Sequence, residues 1–244
     1  MFPIREVSLR RGSTRVSQVL LPHIPRSCTH VRGHGGVKGA LRQIQRRMPK
    51  ARFVARFDIA AYYTSMRHDV IEAQVAATDL DAHQRGLIAD YLALSDSQGA
   101  GVGMVASGGL SPLLGALYLT PLDRRMDRLC KGKRLVHYVR YMDDIVLLAR
   151  TRWQLRRAIA ALHEEIAALG LRLHRVKRFI RAALGRLGGV LVLGLGASIR
   201  GEIRRSSKPS YAGGGGLSCS RVARSDRLRR SRRPKASLAA MWLV

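Results

Sequence analysis

The sequence predicts an α/β fold, an antiparallel sheet backed by helices, and three stretches carry that prediction. Residues 136–140 (Val-His-Tyr-Val-Arg) and 145–149 (Ile-Val-Leu-Leu-Ala) are short and rich in β-branched and aromatic side chains. They flank Tyr141, Met142, Asp143 and Asp144, which reads as a β-hairpin with two adjacent carboxylates at its tip. Residues 53–57 (Phe-Val-Ala-Arg-Phe) read as a third strand, buried or half-buried, with Asp58 at its end. Leu155, Ile159, Leu162, Ile166 and Leu169 step by four and three, which gives a helix one apolar face to lay on the back of the sheet. Thr151 can cap that helix and Gly170 can stop it.

The other elements follow in chain order. Residues 1–50 form a basic segment containing Arg32, Gly33, His34, Gly35, Gly36, Val37, Lys38 and Gly39. These glycines either let backbone amides approach a phosphate or make a plain flexible turn. Lys38, Arg42, Arg46 and Arg47 fall on a helical pattern, as phosphate contacts or as solvated helix surface. After Ser65 a helix is expected over residues 66–77, with Val70, Ile71 and Val75 apolar, and a second over residues 81–94. A glycine-rich loop, residues 99–109, leads into one long helix over residues 111–129, with Ser111 at its cap and Pro112 in its first turn.

Lys plus Arg number 44 against 16 Asp plus Glu, for a net charge of +28 and a pI of about 11.6. Such a surplus is an electrostatic footprint for phosphates, giving salt-dependent affinity without sequence specificity. Charge alone does not separate an enzyme from a passive binder. No stretch of 18 apolar residues is free of charge, so neither a transmembrane helix nor a membrane partner is expected. The first six residues lack a signal peptide's apolar core. Cys28, Cys130 and Cys219 lie far apart, which predicts neither a zinc site nor a disulfide framework and fits a reduced, cytoplasmic setting.

Two adjacent carboxylates repel each other unless a cation lies between them, and hard oxygen ligands suit Mg²⁺ or Mn²⁺. An ordinary Asp-Asp turn gives the same local pattern. With Asp58 added from a neighbouring strand, a three-carboxylate site forms on one edge of the sheet. Two divalent ions about 4 Å apart there suit phosphoryl transfer, which asks little of a protein beyond positioning and charge neutralisation.

Four segments then carry a family resemblance. Tyr141, Met142, Asp143 and Asp144 resemble the polymerase signature of reverse transcriptases. Residues 57–65 (Phe-Asp-Ile-Ala-Ala-Tyr-Tyr-Thr-Ser), followed by His68 and Asp69, are similar to the first catalytic motif of the bacterial, group II intron and retron type. Residues 108–119 (Gly-Gly-Leu-Ser-Pro-Leu-Leu-Gly-Ala-Leu-Tyr-Leu), then Leu122 and Asp123, resemble the template- and nucleotide-contacting motif. Residues 169–173 (Leu-Gly-Leu-Arg-Leu) with Lys177 resemble the motif that closes the palm.

The resemblance implies a right-hand polymerase palm over residues 51–180, with partial fingers in residues 1–50. It implies a metal site of Asp58, Asp143 and Asp144. Tyr63, five residues after Asp58, matches the bulky residue that rejects a ribose 2′-hydroxyl; an ordinary core aromatic is the alternative. Lys177 matches the lysine that protonates the leaving pyrophosphate, or is a solvated surface lysine. Ile59, Gly109, Ser111, Pro112 and Lys38 are the further implied substrate-binding residues. Two departures bear on the nucleotide contact: Val105, Ala106 and Ser107 stand where many relatives carry Gln-Gly, and glycine and alanine replace the usual Asn near Gly115 and Ala116.

Residues 181–244 break the pattern. They carry 14 Lys or Arg against two acids and ten of the 24 glycines, including Gly213 to Gly216. Only Val190 to Leu193 reads as a strand; the rest lacks periodicity and reads as disordered. The family's primer-gripping segment and helical thumb are not visible there. The tail is either a basic arm that clamps nucleic acid or a frame-shifted reading of GC-rich DNA, and the abrupt change after Ile180 favours the second.

The expected function is therefore RNA-directed DNA synthesis, joining dNTPs to a primer 3′-hydroxyl on an RNA template with Mg²⁺ or Mn²⁺. A cognate structured RNA is a further possible partner. The alternatives are a catalytically inactive, truncated remnant that acts as a basic RNA- or DNA-binding protein, and a DNA-templated or template-independent polymerase on the same palm.

Overall fold

In the computed structural model, which describes residues 14–94, 100–106, 108–175 and 178–182, strand β1 (Phe53–Ala60) is the hub of a five-stranded sheet. Along one side it pairs antiparallel with β3 (Asp144–Ala149), with Phe53 opposite Ala149 and Asp58 opposite Asp144. Along the other side, β5 (Phe179–Ala182) pairs with its first half and β4 (Arg172–Leu173) with its end. The remaining strand, β2 (His137–Tyr141), is antiparallel to β3. The described residues fall within one compact unit.

Alternation along the strands sorts the two faces. Ala55, Phe57 and Ile59 of β1, Ile145, Leu147 and Ala149 of β3, and Tyr138 of β2 enter the larger core. Helices α5 (Ser111–Tyr118), α6 (Thr120–Lys131) and α7 (Arg152–Ala168) cover it, beside α3 (His68–Ala76), α4 (Ala82–Ala93) and α1 (residues 14–20). Each fully buried Leu or Ile contributes about 1.5–3 kcal/mol there. Val54, Val139, Val146 and Leu148 face the other way, onto Ala40 and Ile44 of α2 (Gly36–Arg47). By the same alternation Arg56, Asp58 and Asp144 belong to the α2 face.

Several elements match the sequence reading, and the differences have local causes. Thr151 caps α7 through a reciprocal pair with Gln154, and Gly170 follows at φ +71°. The sequence places Asp58 at a strand end, whereas β1 continues through Ala60 because Ile59 and Ala60 pair with Leu173 and Arg172. The long helix expected over residues 111–129 is two helices, α5 and α6, broken at Leu119. Pro121 lies in the first turn of α6 and has no N–H for a helix running in from α5. Ser111 is the first residue of α5, not its cap, which is Leu110. In the glycine segment, the Gly36 amide donates to the Thr29 carbonyl (2.9 Å) and the Gly39 amide to the Gly35 carbonyl (2.8 Å). Those two amides are therefore committed within the fold and not open to a phosphate. Among the described residues no helix is long and apolar enough to cross a membrane.

Candidate active site

The hairpin turn consists of two residues, Met142 and Asp143, closed by the pair Tyr141 and Asp144. The two carboxylates thus differ: Asp143 is in the turn, and Asp144 is the first residue of the β3 ladder. Met142 adopts φ +53°, the left-handed conformation that a tight hairpin turn requires and a non-glycine residue resists. The turn is docked on β1, because the Ile59 amide donates to the Asp143 carbonyl at 3.3 Å. Asp58 is directly opposite Asp144, and both are buried, at 6 % and 3 % exposure. The fold therefore gathers all three acids at one end of the β1–β3 pair.

A cation already attends this cluster. Arg56, two residues before Asp58 on the same face, donates from Nε (2.9 Å) and Nη2 (2.7 Å) to Oδ1 of Asp144. Asp58 and Asp143 offer hard carboxylate oxygens on abutting backbones, the donor chemistry that Mg²⁺ or Mn²⁺ takes. Among the described residues, no three His, Cys, Asp or Glu are grouped to hold a metal ion. The residues fit a divalent ion in kind, with Asp58 and Asp143 as the donors and Asp144 engaged by Arg56.

Two residues that the sequence reading passed over hold the turn in place. Arg140 is fully buried and donates to both carboxylate oxygens of Asp123 on α6, at 2.9 and 2.6 Å. It also donates to the Met142 carbonyl at 2.9 Å and the Ala116 carbonyl at 3.4 Å. Tyr138 donates to the same Asp123 at 2.5 Å. One guanidinium thus ties the hairpin turn to α5 and α6. Burial pushes the Tyr138 hydroxyl well above its ordinary pKa, with the Asp123 charge adding to the shift, so it stays a donor.

His30 forms the second brace. Its Nδ1 accepts from the Met142 amide at 3.0 Å, so the proton is on Nε2, which donates to the Pro112 carbonyl at 2.8 Å. The neutral ring bridges the hairpin turn to the first turn of α5. Burial, then the nearby Arg140 charge, lowers its pKa to about 3. The signal for Arg140 was present in the sequence, since a charged residue alternating with Tyr138 on a core face demands a buried partner. His30 left no comparable signal, because its role depends on pairings 82 and 112 residues away.

The other expected residues are more dispersed. Tyr63 follows β1 in a short turn, with its ring centroid 5.0 Å from that of Tyr62. A β-carbon on Gly115 would come within 3.3 Å of the Tyr63 ring and 3.2 Å of the Tyr62 hydroxyl, so glycine at that position lets both tyrosines close on α5. Ser111 is fully buried. Its Oγ bonds the Tyr91 hydroxyl (2.6 Å), accepts from the Gly108 amide (3.1 Å) and donates to the Val105 carbonyl. It shapes the loop before α5. Gly108 has no room for a side chain, since a β-carbon would overlap the Tyr91 ring. Gly109 and Pro112 are exposed. The Ile59 side chain is in the core at 2 % exposure, and its amide docks the turn. Lys38 is exposed on α2. Lys177 lies outside the described residues, as does most of the 181–244 tail.

The fold is that of a polymerase palm, an antiparallel sheet backed by helices, with the acids at one end of its central strands. The chain is similar to apo telomerase from Candida Tropicalis, with TM-score 0.50, 12% identity, 76% of this chain covered and 37% of that one. It matches the form of that telomerase truncated from its C-terminal domain with TM-score 0.50, 10% identity, 73% of this chain covered and 40% of that one. It therefore spans less than half the length of these telomerase chains. No curated protein matches the sequence. The reverse transcriptase (RNA-dependent DNA polymerase) family matches residues 7–195, and the chain belongs to that family.

Proposed function

We propose that this chain is an RNA-directed DNA polymerase that extends a primer 3′-hydroxyl with dNTPs on an RNA template. The observation that carries the reading is the register of β1 on β3, which sets Asp58 opposite Asp144 and docks Asp143 on Ile59. Asp58 and Asp143 would hold Mg²⁺, or Mn²⁺, which supplies activation of the 3′-hydroxyl and neutralises the leaving pyrophosphate. The protein's own share is positioning. His30 and Arg140 fix the turn from both sides, and the Tyr91–Ser111 pair fixes the loop before α5. Tyr63, packed against α5 at Gly115, offers a rigid ring to exclude a ribose 2′-hydroxyl. Lys177 is proposed as the proton donor to the leaving group, the group II intron and retron type as the nearest subtype, and the cytoplasm as the setting.

Primer extension on an RNA template with dNTPs and Mg²⁺, beside Asp143→Asn, tests the reading. The variant is expected to lose extension by at least about a hundredfold while binding primer–template as the wild type does. Appreciable synthesis by the variant refutes the metal assignment. Tyr63→Val is expected to incorporate ribonucleotides, and unchanged sugar discrimination removes the steric role.

A second reading is a non-catalytic, basic nucleic-acid binder. The engagement of Asp144 by Arg56 favours it, because a guanidinium already neutralises one of the three acids. Wild-type protein that binds primer–template but extends nothing would establish it.

A further inference from the structure

His137 opens β2, at the other end of the hairpin from the carboxylates. It alternates with Val139 and Tyr141, so it lies on the same sheet face as Asp58 and Asp144. Four residue steps separate it from Tyr141, or about 14 Å. Together with Gln43, Arg46 and Arg47 of α2 and Lys50 of the turn that follows, it lines a concavity of about 470 Å³. Three cations thus converge, with no carboxylate in the lining among the described residues. The Nε2 atom of His137 is buried and has no hydrogen-bond partner among the described residues. A buried polar atom without a protein partner beside three cations offers the donors and charge that suit an anion.

We infer that this concavity binds a backbone phosphate of the nucleic acid on which the palm acts. The inference deepens the proposed function and names a contact remote from the chemistry. The distance selects the source of the phosphate. A free triphosphate held about 14 Å from the turn is out of reach of Asp58 and Asp143, whereas a strand that ends at the carboxylates is long enough to reach this concavity. Arg46 and Arg47 supply charge, Gln43 a neutral donor, and His137 a ring that gains a proton when an anion arrives. The groups around the ring are Arg46 and Arg47 from α2, Lys50 from the turn, and uncharged Leu148 opposite it on β3. On α6, behind the strand, Cys130 has its thiol pushed up to about 11 by burial and stays neutral. Without an anion, burial and then the charges of Arg47 and Arg46 lower the His137 pKa to about 4. A phosphodiester seated between the guanidiniums offsets their charge and gives the buried ring an anion to pair with, so binding takes up a proton and tightens as pH falls.

The test is the affinity of the full chain for a fluorescein-labelled RNA–DNA primer–template, without dNTPs, by anisotropy. If binding returns His137 to its ordinary pKa, affinity rises about tenfold from about pH 7.5 to about pH 5.5, beyond the change shown by His137→Asn. Arg46→Gln with Arg47→Gln lowers the slope of log affinity on log salt by about two. Both arginines are exposed, so this variant keeps its fold even where His137→Asn does not. Identical pH and salt dependence in wild type and variants overturns the site. Displacement of the labelled duplex by tripolyphosphate with the double variant's salt slope unchanged overturns the backbone assignment. Loss of extension with the pH linkage intact would defeat the proposed function and leave this site standing.

Discussion

Two arginine–aspartate pairs lie on opposite faces of one sheet, and their difference separates scaffold from working parts. Arg140 and Asp123 are both fully buried, and Arg140 bonds two carbonyls besides the carboxylate. Arg56 and Asp144 meet on the α2 face, with Arg56 18 % exposed and both of its bonds on one oxygen. The first pair has its donors committed to the core and joins the turn to α5 and α6. The second stands where a divalent ion would compete with the guanidinium for the carboxylate. On the proposed function, the same two kinds of side chain would serve permanence on one face and exchange with a metal ion on the other.

The largest effect expected from breaking this contrast is on the inner pair. Asp123→Ala leaves a buried guanidinium uncompensated and should lower unfolding free energy by about 3–5 kcal/mol, measured by urea denaturation. A loss comparable to that of a surface substitution would show that the pair is not structural. Arg56→Gln should cost less, about 1–2 kcal/mol. Added Mg²⁺ should raise its melting temperature more than the wild type's, because the ion takes over neutralisation of Asp144. An equal Mg²⁺ response in the two proteins would end the idea of exchange.

A third effect, on acid stability, builds up as the pH falls. His30 and His137 have folded pKa values of about 3 and about 4, below the ordinary 6.5. Between those values the unfolded chain binds more protons than the folded one. Stability is then fully present above about pH 6.5 and falls as pH drops toward 4, by at most ~1.4 kcal/mol per pH unit for each group. Urea midpoints flat from about pH 7 to about pH 5 would contradict this assignment.

Much of this arrangement was legible in the sequence, for identifiable reasons. The hairpin and α7 announced themselves through periodicity and punctuation, since their signals are local: β-branched runs around Met142 and Asp143, and a stripe between Thr151 and Gly170. The end of β1 was misplaced because Ile59 and Ala60 owe their strand geometry to β4, more than a hundred residues away. The α5–α6 break could have been read from Pro121, but the apolar run around it masked the proline. Among the acids, the grouping was readable and the division of labour was not. Nothing near Asp144 in sequence shows that Arg56 will reach it, whereas strand register does.

The isolated bridge of Cys28 to Arg140 has a consequence for solubility. Among the described residues β2 is the outermost strand on its side of the sheet, and an open edge is a template for another chain. The Arg140 amide donates to the Ser27 carbonyl, and the Thr29 amide donates to the Arg140 carbonyl, each at 2.9 Å. The segment around Cys28 thus closes off part of that rim. The same few residues that deliver His30 to the turn also guard the sheet against joining its neighbours in a growing aggregate.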